Sequence, residues 1–247
     1  MSHPHISEKQ SVDVRERGAD RDGQPQRSDH RLFMQLLAFT CSPELPVDRA
    51  VHDFGEALAA SGVAAVIYHD VNHPLGLALL TWSENPEDFV LKVRPVLSRT
   101  ELRGLVPRPE LSMLGRTYGT GFETDLEYWL LRRPRETVLN GNWPWAVWYP
   151  LRRKGAFESI DGRTKGEILR EHGEIGRSYG EAELAHDVRL ACHGLDGADN
   201  EFVIGLIGKE LHPLSHVVQA MRSTRQTSEF IEQMGPFFVG YVAWRSA

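Results

Sequence analysis

A histidine lies in the apolar row of a predicted helix, at a position where a core residue is expected. Over residues 167–180 one face of this helix carries, at helical spacing, Ile168, His172, Ile175 and Tyr179. An imidazole in such a row is either a core residue that hydrogen-bonds to the backbone or a metal ligand. Beside it lie Gly173 and Gly176, and each glycine costs about 0.5–1 kcal/mol relative to alanine inside a helix. We interpret these glycines as allowing something flat and wide to approach the helix.

An aromatic strand followed by cations precedes this helix in the chain. The aromatic residues are Trp143, Trp145, Trp148 and Tyr149, and Arg152-Arg153-Lys154 follows directly. A histidine with room above its ring, aromatic walls and cations at the rim is the arrangement of a haem pocket, in which the imidazole binds iron and the cations pair with propionates. The residues alone leave both alternatives open, the haem ligand and the core histidine.

The elements that must position these residues occur twice in the same order, β-α-β-β-α-β. The first set consists of strands at 32–40, 63–70, 76–83 and 112–119 and helices at 48–60 and 86–98. The second consists of strands at 145–151, 188–194, 201–209 and 237–244 and helices at 166–179 and 212–224. Thr164 with Glu167 is a candidate capping box for the first helix of the second set.

This repeated order predicts an α+β fold of two tandem ferredoxin-like halves. Each half covers one sheet face with its own helices, so packing the two remaining apolar faces together would form an intrachain dimeric α+β barrel. Two independent α+β domains are the alternative. The predicted boundaries are a disordered tail at 1–30, an N-terminal half with linker at 31–144 and a C-terminal half at 145–247, the tail being too polar to offset the cost of ordering it.

Composition excludes several functional classes. The chain has 247 residues, a net charge of −6 and two cysteines, which argues against a nucleic-acid binder, a disulfide framework and a thiolate zinc site. No apolar run reaches the length of a membrane span. With no secretory signal in the first residues, we expect a cytoplasmic protein.

Several short motifs occur in the second half in a fixed order. They are YPLRR at 149–153, HGEIGRSY at 172–179, GLD at 194–196, MR at 221–222 and GPFFVG at 235–240. Together they resemble the chlorite dismutase family, which includes the peroxide-dependent coproheme decarboxylases of bacterial haem synthesis. The resemblance is strongest over 145–244. It implies a haem bound in the C-terminal half alone and a homopentamer.

The resemblance also implies roles for individual residues. His172 corresponds to the proximal iron ligand, and Tyr149 to the tyrosine that, in the decarboxylases, becomes the oxidising radical next to a reactive propionate. Arg153, Arg222 and Ser228 correspond to residues that contact propionates. The cofactor or substrate is accordingly haem b or coproheme.

The distal side of the iron departs from the family pattern. Chlorite dismutases carry an arginine, and many decarboxylases a glutamine, seven residues before the glycine of the Gly-Leu-Asp turn. Here that position is Asp187, and Arg189 shares its strand face because side chains alternate along a strand. The candidates for the distal residue are His186, Asp187 and Arg189, with Arg189 as the catalytic candidate.

The residue that orients the proximal histidine is open as well. An iron-bound imidazole normally donates its other N–H to an acceptor that fixes the ring. The acceptors that we expect near His172 are Glu229 and Glu232, which lie between the last helix and the last strand.

Three functional classes follow from these residues. The first is a haem-dependent oxidoreductase, with peroxide-dependent coproheme decarboxylation ranked above chlorite breakdown or weak peroxidase activity because Tyr149 is present and the distal arginine is not in place. The second is a non-catalytic haem carrier or sensor. The third is an α+β scaffold with another ligand or none. The expected partners are a porphyrin and hydrogen peroxide or chlorite, with no nucleic acid and no membrane span.

Overall fold

The computed structural model describes residues 12–246. In the first half the strands are β3 (Phe33–Cys41), β4 (Ala65–Asp70), β5 (Gly76–Ser83), β6 (Leu105–Pro107) and β7 (Met113–Arg116), with helices α1 (Val47–Ser61) and α2 (Arg94–Leu97). The linker contains α3 (Arg133–Leu139). In the second half they are β8 (Trp145–Arg153), β9 (His186–Ala191), β10 (Phe202–Gly208), β11 (Ile231–Met234) and β12 (Phe238–Arg245), with α4 (Gly162–Glu181) and α5 (Leu211–Arg222).

The strands form one antiparallel barrel. The first half has the strand order β7-β3-β5-β4 and the second the equivalent order β12-β8-β10-β9, which is the ferredoxin-like arrangement in both cases. The halves join where β4 pairs with β12 and where β7 pairs with β9. The pairing of β8 with β10 closes the ring. This confirms the predicted α+β fold of two halves that form one barrel.

A single apolar core fills the barrel. It contains residues of both halves, such as Leu36 and Tyr68 from the first and Trp148 and Phe238 from the second, each no more than 1 % exposed. Each half therefore completes its core with the other, which excludes two independent domains. The helices cover the outer surface of the barrel, where α1 packs on the first half through Phe54 and Leu58.

The prediction of a disordered tail is wrong for residues 16–28. They form a hairpin of β1 (Glu16–Arg21) and β2 (Gln24–Ser28). Asp22 and Gly23 at its tip both have positive φ, as the tight hairpin turn of an Asp-Gly pair requires. The hairpin is held to the linker by polar contacts, since Gln26 donates to the Glu123 carbonyl oxygen at 3.0 Å and burial contributes little. Residues 1–11 lie outside the described part.

Proline determines where two helices begin, and α2 begins later than the helix predicted at 86–98. Wide turns at Phe89–Val93 and Tyr128–Arg132 precede α2 and α3, and each of these helices starts with Arg-Pro. Proline has no N–H to donate, so the backbone hydrogen bonding rearranges just before it. Pro134 lies in the first turn of α3, where its missing donor costs nothing.

Candidate functional site

Strand alternation places the chemical candidates on the outer face of the second half. Along β8, Trp148 points into the barrel core, whereas Tyr149 lies in the outer cluster beneath α4 and α5. Along β9, Val188 belongs to the barrel core, so the neighbouring Asp187 and Arg189 face outward. Tyr149, Asp187 and Arg189 therefore share the sheet face that the two helices cover.

Helix α4 begins earlier than the capping box predicted. Its N-cap is Asp161, whose carboxylate accepts hydrogen bonds from the backbone N–H groups of Arg163 and Thr164 at 3.1 and 3.0 Å. The capping box of Thr164 with Glu167 is thus wrong, because an aspartate one turn upstream satisfies the same free amides. The predicted apolar row is confirmed further along, where Ile175 and Tyr179 pack against the outer cluster of the sheet.

His172 is held by one hydroxyl group of the next helical region. Its Nδ1 lies 3.2 Å from Oγ1 of Thr224, which is only 1 % exposed. The Thr224 hydroxyl donates to the Met221 carbonyl oxygen at 2.8 Å, so its oxygen is left to accept the N–H of the imidazole. The proton then resides on Nδ1, and the lone pair of Nε2 is free to bind a metal. Burial also lowers the pKa of His172 and keeps the ring neutral.

The expected acceptors for His172 were wrong. Glu229 is paired with Arg225 at 3.3 Å, and Glu232 with Arg152 at 3.3 Å. Both carboxylates form ion pairs at the surface. Thr224, in contrast, lies just after α5, the helix that packs beside α4. The sequence signal for it was weak, since a threonine two residues after the Met-Arg motif carries no charge and is common at helix ends.

Tyr149 lies on the sheet face that α4 covers. Its ring stacks on Phe237 with centroids 4.7 Å apart, and the residue is 6 % exposed. Burial raises the pKa of the phenol, and the nearby Asp187 charge raises it further while Arg222 acts in the opposite direction. Tyr149 is therefore a neutral phenol. Within residues 12–246 its hydroxyl is not engaged in any hydrogen bond, so it can meet a ligand group.

The three predicted propionate contacts lie in different surroundings. Arg153 is 13 % exposed at its side chain and paired with Glu201 at 2.9 Å and with Glu158 at 3.6 Å. Arg222 is an exposed residue at the end of α5, close enough to Tyr149 to lower its pKa. The Ser228 hydroxyl donates to the Thr224 carbonyl oxygen at 2.9 Å. Arg222 and Ser228 thus stand near the His172 side of the site, and Arg153 lies at the far end of β8.

Arg153 also borders a polar cleft at that end. The cleft has a volume of about 490 Å³, and its lining includes Arg152, His193, Asp199 and Glu201. Both charge signs are present there, so the cleft is not a simple anion site.

The distal candidates form a charged cluster on β9. Arg133 binds Oδ1 of Asp187 through Nη2 at 2.7 Å, and Arg189 approaches Oδ2 through Nε at 3.1 Å. Burial acts to raise the pKa of the Asp187 carboxyl, but the guanidiniums of Arg189 and Arg133 outweigh it and hold that pKa below its ordinary value. Both guanidiniums lie over the Trp129 ring, at 4.4 Å for Arg133 and 5.6 Å for Arg189. Arg133 and Trp129 come from the linker and were not among the residues predicted for the site.

His186 does not belong to this cluster. Its ring stacks on Trp143 with centroids 3.7 Å apart, and its position alternates with Asp187 along β9. The distal candidates are therefore reduced to Asp187 and Arg189.

Neither Gly173 nor Gly176 is required by a close contact within the described residues. A Cβ at Gly173 would meet nothing within 4 Å, and Gly173 is exposed. At Gly176 it would lie 3.4 Å from the Met221 methyl group, which is an ordinary contact. The interpretation that these glycines admit a flat group stays a prediction.

The residues between α4 and the sheet fit an iron porphyrin. Of the twenty residues of α4 only Ile168 is buried, whereas α1 buries five in a helix of fifteen. On the sheet face that α4 and α5 cover, the side chains of Asp187 and Arg189 are 37 % and 36 % exposed. Half-buried apolar side chains line the same face, namely Phe202, Ile204, Phe237 and Val239. The layer between α4 and this sheet face, called the cleft below, thus combines one free imidazole nitrogen, half-buried apolar side chains and cations at its borders.

Comparison with known proteins identifies a family. The family model for chlorite dismutase matches residues 48–243. No curated protein matches the chain. Among solved structures, a haem-binding protein from Thermus thermophilus is 19 % identical, with a TM-score of 0.67, and the match covers 86 % of this chain and 91 % of that chain. A mutant chlorite dismutase from Candidatus Nitrospira defluvii is 14 % identical, with a TM-score of 0.66 and coverages of 88 % and 93 %.

A second structure of the Nitrospira enzyme, in complex with imidazole, gives 15 % identity, a TM-score of 0.65 and coverages of 88 % and 93 %. Identities at this level show a shared fold. Within residues 12–246 no helix has both the length and the apolar character needed to cross a bilayer.

Proposed function

Since this chain belongs to the chlorite dismutase family, we propose that it is a haem-dependent oxidoreductase whose reaction is the peroxide-dependent decarboxylation of coproheme to haem b. The observation that carries this proposal is the position of Tyr149. It lies on the sheet face that α4 and α5 cover, it is buried and neutral, and its hydroxyl is not engaged within the described residues.

His172 would hold the iron through Nε2. Thr224 fixes the ring orientation by accepting a hydrogen bond from the Nδ1–H group of His172. Burial keeps the imidazole neutral, so that no proton competes with the iron for Nε2. Arg222 and Ser228 would contact propionates near this side. Arg153 would first have to exchange one of its carboxylate partners for a propionate. The bound iron supplies the capacity to react with hydrogen peroxide.

Tyr149 would carry the oxidising equivalent to a propionate that lies too far from the metal for direct attack. Its phenol would lose an electron, with its proton passing to the propionate carboxylate, and the phenoxyl radical would then take a hydrogen atom from the propionate chain. A second one-electron oxidation, which uses the other oxidising equivalent of the same peroxide, would release carbon dioxide and leave a vinyl group. Each decarboxylation would thus consume one hydrogen peroxide and give two waters. The protein's contribution is to hold the ring and the propionate in contact. The stacking of Tyr149 on Phe237 supports this role because it fixes the plane of the ring.

The distal cluster argues against chlorite as the main substrate. Stabilising a chlorite anion over the iron calls for a free cation, and Arg189 is paired with Asp187 on the same strand face. Weak peroxidase activity is the second candidate, because the ionised Asp187 can accept a proton from peroxide. A haem carrier would need His172 and Thr224 alone.

We also propose a homopentamer in the cytoplasm. The family resemblance supports the pentamer. Both cysteines, Cys41 and Cys192, are buried free thiols, which suits a reducing compartment. Mass measurement of the native assembly tests the subunit number.

One titration tests the main proposal. Purified protein is loaded with coproheme, and hydrogen peroxide is added in steps while the porphyrin mass is followed. We expect a Soret band on loading and stepwise loss of carbon dioxide from the porphyrin. Binding of coproheme without decarboxylation would indicate a haem carrier. Turnover of chlorite in place of decarboxylation would favour a chlorite dismutase. Absence of a Soret band would contradict haem binding altogether.

A further inference from the structure

A second tyrosine is paired with a histidine on the outer side of the same helix layer. The hydroxyl of Tyr179, near the end of α4, hydrogen-bonds to Nδ1 of His216 on α5. The Tyr179 ring is half-buried and packs against the apolar cluster that contains Tyr149, while His216 is exposed. The pair therefore spans the distance from the wall of the cleft to solvent.

Tyr179 is also aligned with the proposed iron ligand. It follows His172 by seven residues, which is two helical turns, so both side chains lie on one face of α4 about 10 Å apart along the axis. No chain crossing or loop intervenes, and α4 is one continuous helix from Gly162 to Glu181. An electron can pass between the two positions through one rigid element.

The chemistry of the pair differs from that of Tyr149. Oxidation of a phenol at neutral pH expels its proton, so a phenol with a proton acceptor in place is the easier one to oxidise. Nδ1 of His216 is such an acceptor, and its Nε2–H is available to pass a proton on to water. The Tyr149 hydroxyl has no acceptor of this kind within residues 12–246, and its surroundings disfavour charge.

We propose that Tyr179 and His216 form a redox-active pair through which the peroxide-oxidised haem site draws electrons from reductants at the protein surface. This rests on the proposed function for the oxidant, hydrogen peroxide. In each step Tyr179 gives one electron to the oxidised haem and its phenol proton moves to His216 Nδ1. A one-electron donor at the surface restores the electron, and the proton returns from His216. Two such steps, with two protons from solvent, reduce one hydrogen peroxide to two waters.

The pair adds an activity that the decarboxylation does not need. When coproheme is exhausted, excess peroxide leaves an oxidised site without a propionate to consume the oxidising equivalents. Electron entry at Tyr179 removes them before they damage the cleft. The substrate class is a one-electron donor that contacts the surface, and it need not enter the cleft.

Ferrocytochrome c is a suitable probe because it is too large to enter the cleft. The haem-loaded protein is mixed with peroxide and ferrocytochrome c, and the oxidation of the ferrocytochrome is followed by absorbance. We expect Tyr179→Phe and His216→Gln to slow this oxidation about 100-fold or more, as expected for loss of a positioned proton acceptor, with coproheme decarboxylation retained. Tyr241→Phe, at an exposed tyrosine on β12, is the matched control and should match the wild type.

A second measurement does not depend on haem. The apoprotein is oxidised by a flash-excited ruthenium tris-bipyridyl complex with persulfate, and the tyrosyl absorbance is recorded. The pair should give the largest share of the radical, lost in Tyr179→Phe and reduced in His216→Gln. Equal tyrosyl radical yields in the wild type and in Tyr179→Phe would contradict the proposal that Tyr179 and His216 are redox-active, even if no haem binds. Unchanged ferrocytochrome oxidation with intact decarboxylation would overturn the surface activity and leave the proposed function standing.

Discussion

His172 and Thr224 are 52 residues apart in the chain, yet Nδ1 of the one lies 3.2 Å from Oγ1 of the other. The partner of the proposed iron ligand is thus a neutral hydroxyl group. A carboxylate in this position would pull the Nδ1 proton and give the imidazole anionic character. A hydroxyl that already donates to the Met221 carbonyl oxygen orients the ring without adding charge.

Thr224→Val tests this hydrogen bond with little change of shape. The imidazole N–H loses its buried acceptor, so we expect haem affinity to fall about 10- to 100-fold, as for other partners of metal ligands. Soret titration measures the affinity. Thr227→Val, one turn along, removes a hydroxyl that does not contact His172 and serves as the control. An affinity unchanged in Thr224→Val would show that the ring is held by packing.

His172→Ala removes the proposed ligand itself. We expect the Soret band of the loaded protein to disappear or weaken greatly while the fold remains, because α4 is mostly exposed and the change removes one side chain that is not part of the core. Circular dichroism provides the fold control. Added imidazole should restore part of the band by filling the space. An unaltered spectrum in the variant would remove His172 from the site.

Tyr149→Phe separates a radical carrier from an aromatic wall. The change keeps the ring and its stacking on Phe237 and removes only the hydroxyl. Coproheme should still bind, but peroxide should give almost no decarboxylated product. Tyr118→Phe is the matched control, because Tyr118 is a half-buried tyrosine whose ring also lies beside a phenylalanine, Phe202, with centroids 5.6 Å apart. Near-normal product from Tyr149→Phe would leave a haem protein with another activity.

Arg189→Ala distinguishes the two oxidants. Arg133 still pairs with Asp187 in this variant, so the distal carboxylate keeps one cation. We expect coproheme decarboxylation to remain and any chlorite turnover to be lost, both followed with the same enzyme preparation. Loss of decarboxylation with chlorite turnover intact would reverse the ranking of the two substrates.

Asp161→Ala tests the observed start of α4. Loss of the N-cap should lower the free energy of unfolding by about 1 kcal/mol, measured by urea denaturation. Glu167→Ala is informative as a comparison, because Glu167 belongs to the discarded capping box and makes an exposed ion pair with Arg163. Its effect should stay below about 0.5 kcal/mol. A larger loss in Glu167→Ala than in Asp161→Ala would restore the capping box.

The barrel itself was predictable because it depends on apolar periodicity, which is a local property of the sequence. Trp148 and Tyr149 point to opposite faces because they are neighbours on a strand, and His172 faces the sheet because of its row. The hairpin at 16–28 was missed for the opposite reason. Its strands are polar and are stabilised by hydrogen bonds to Glu123, almost a hundred residues away in the chain.

The surroundings of the candidate site were less predictable than its members. Thr224 and Arg133 reach His172 and Asp187 only after the helices and the linker are placed, and neither lies at a recognisable spacing from its partner. Glu229 and Glu232 were plausible by charge, but nearer arginines engage them. Charge alone does not choose a partner when several cations are within reach.

The contrast between α1 and α4 has a consequence for the stability of the separate regions. Two helices in equivalent positions of the two halves contribute unequally, since α1 packs through five buried residues and α4 through Ile168. Local opening of α4 should therefore cost less free energy than opening of α1, and its amides should exchange with solvent deuterium sooner. A porphyrin that binds the closed state alone raises the protection of α4 by mass action. Hydrogen exchange across the chain thus reports occupancy of the cleft, with the first half as an internal reference.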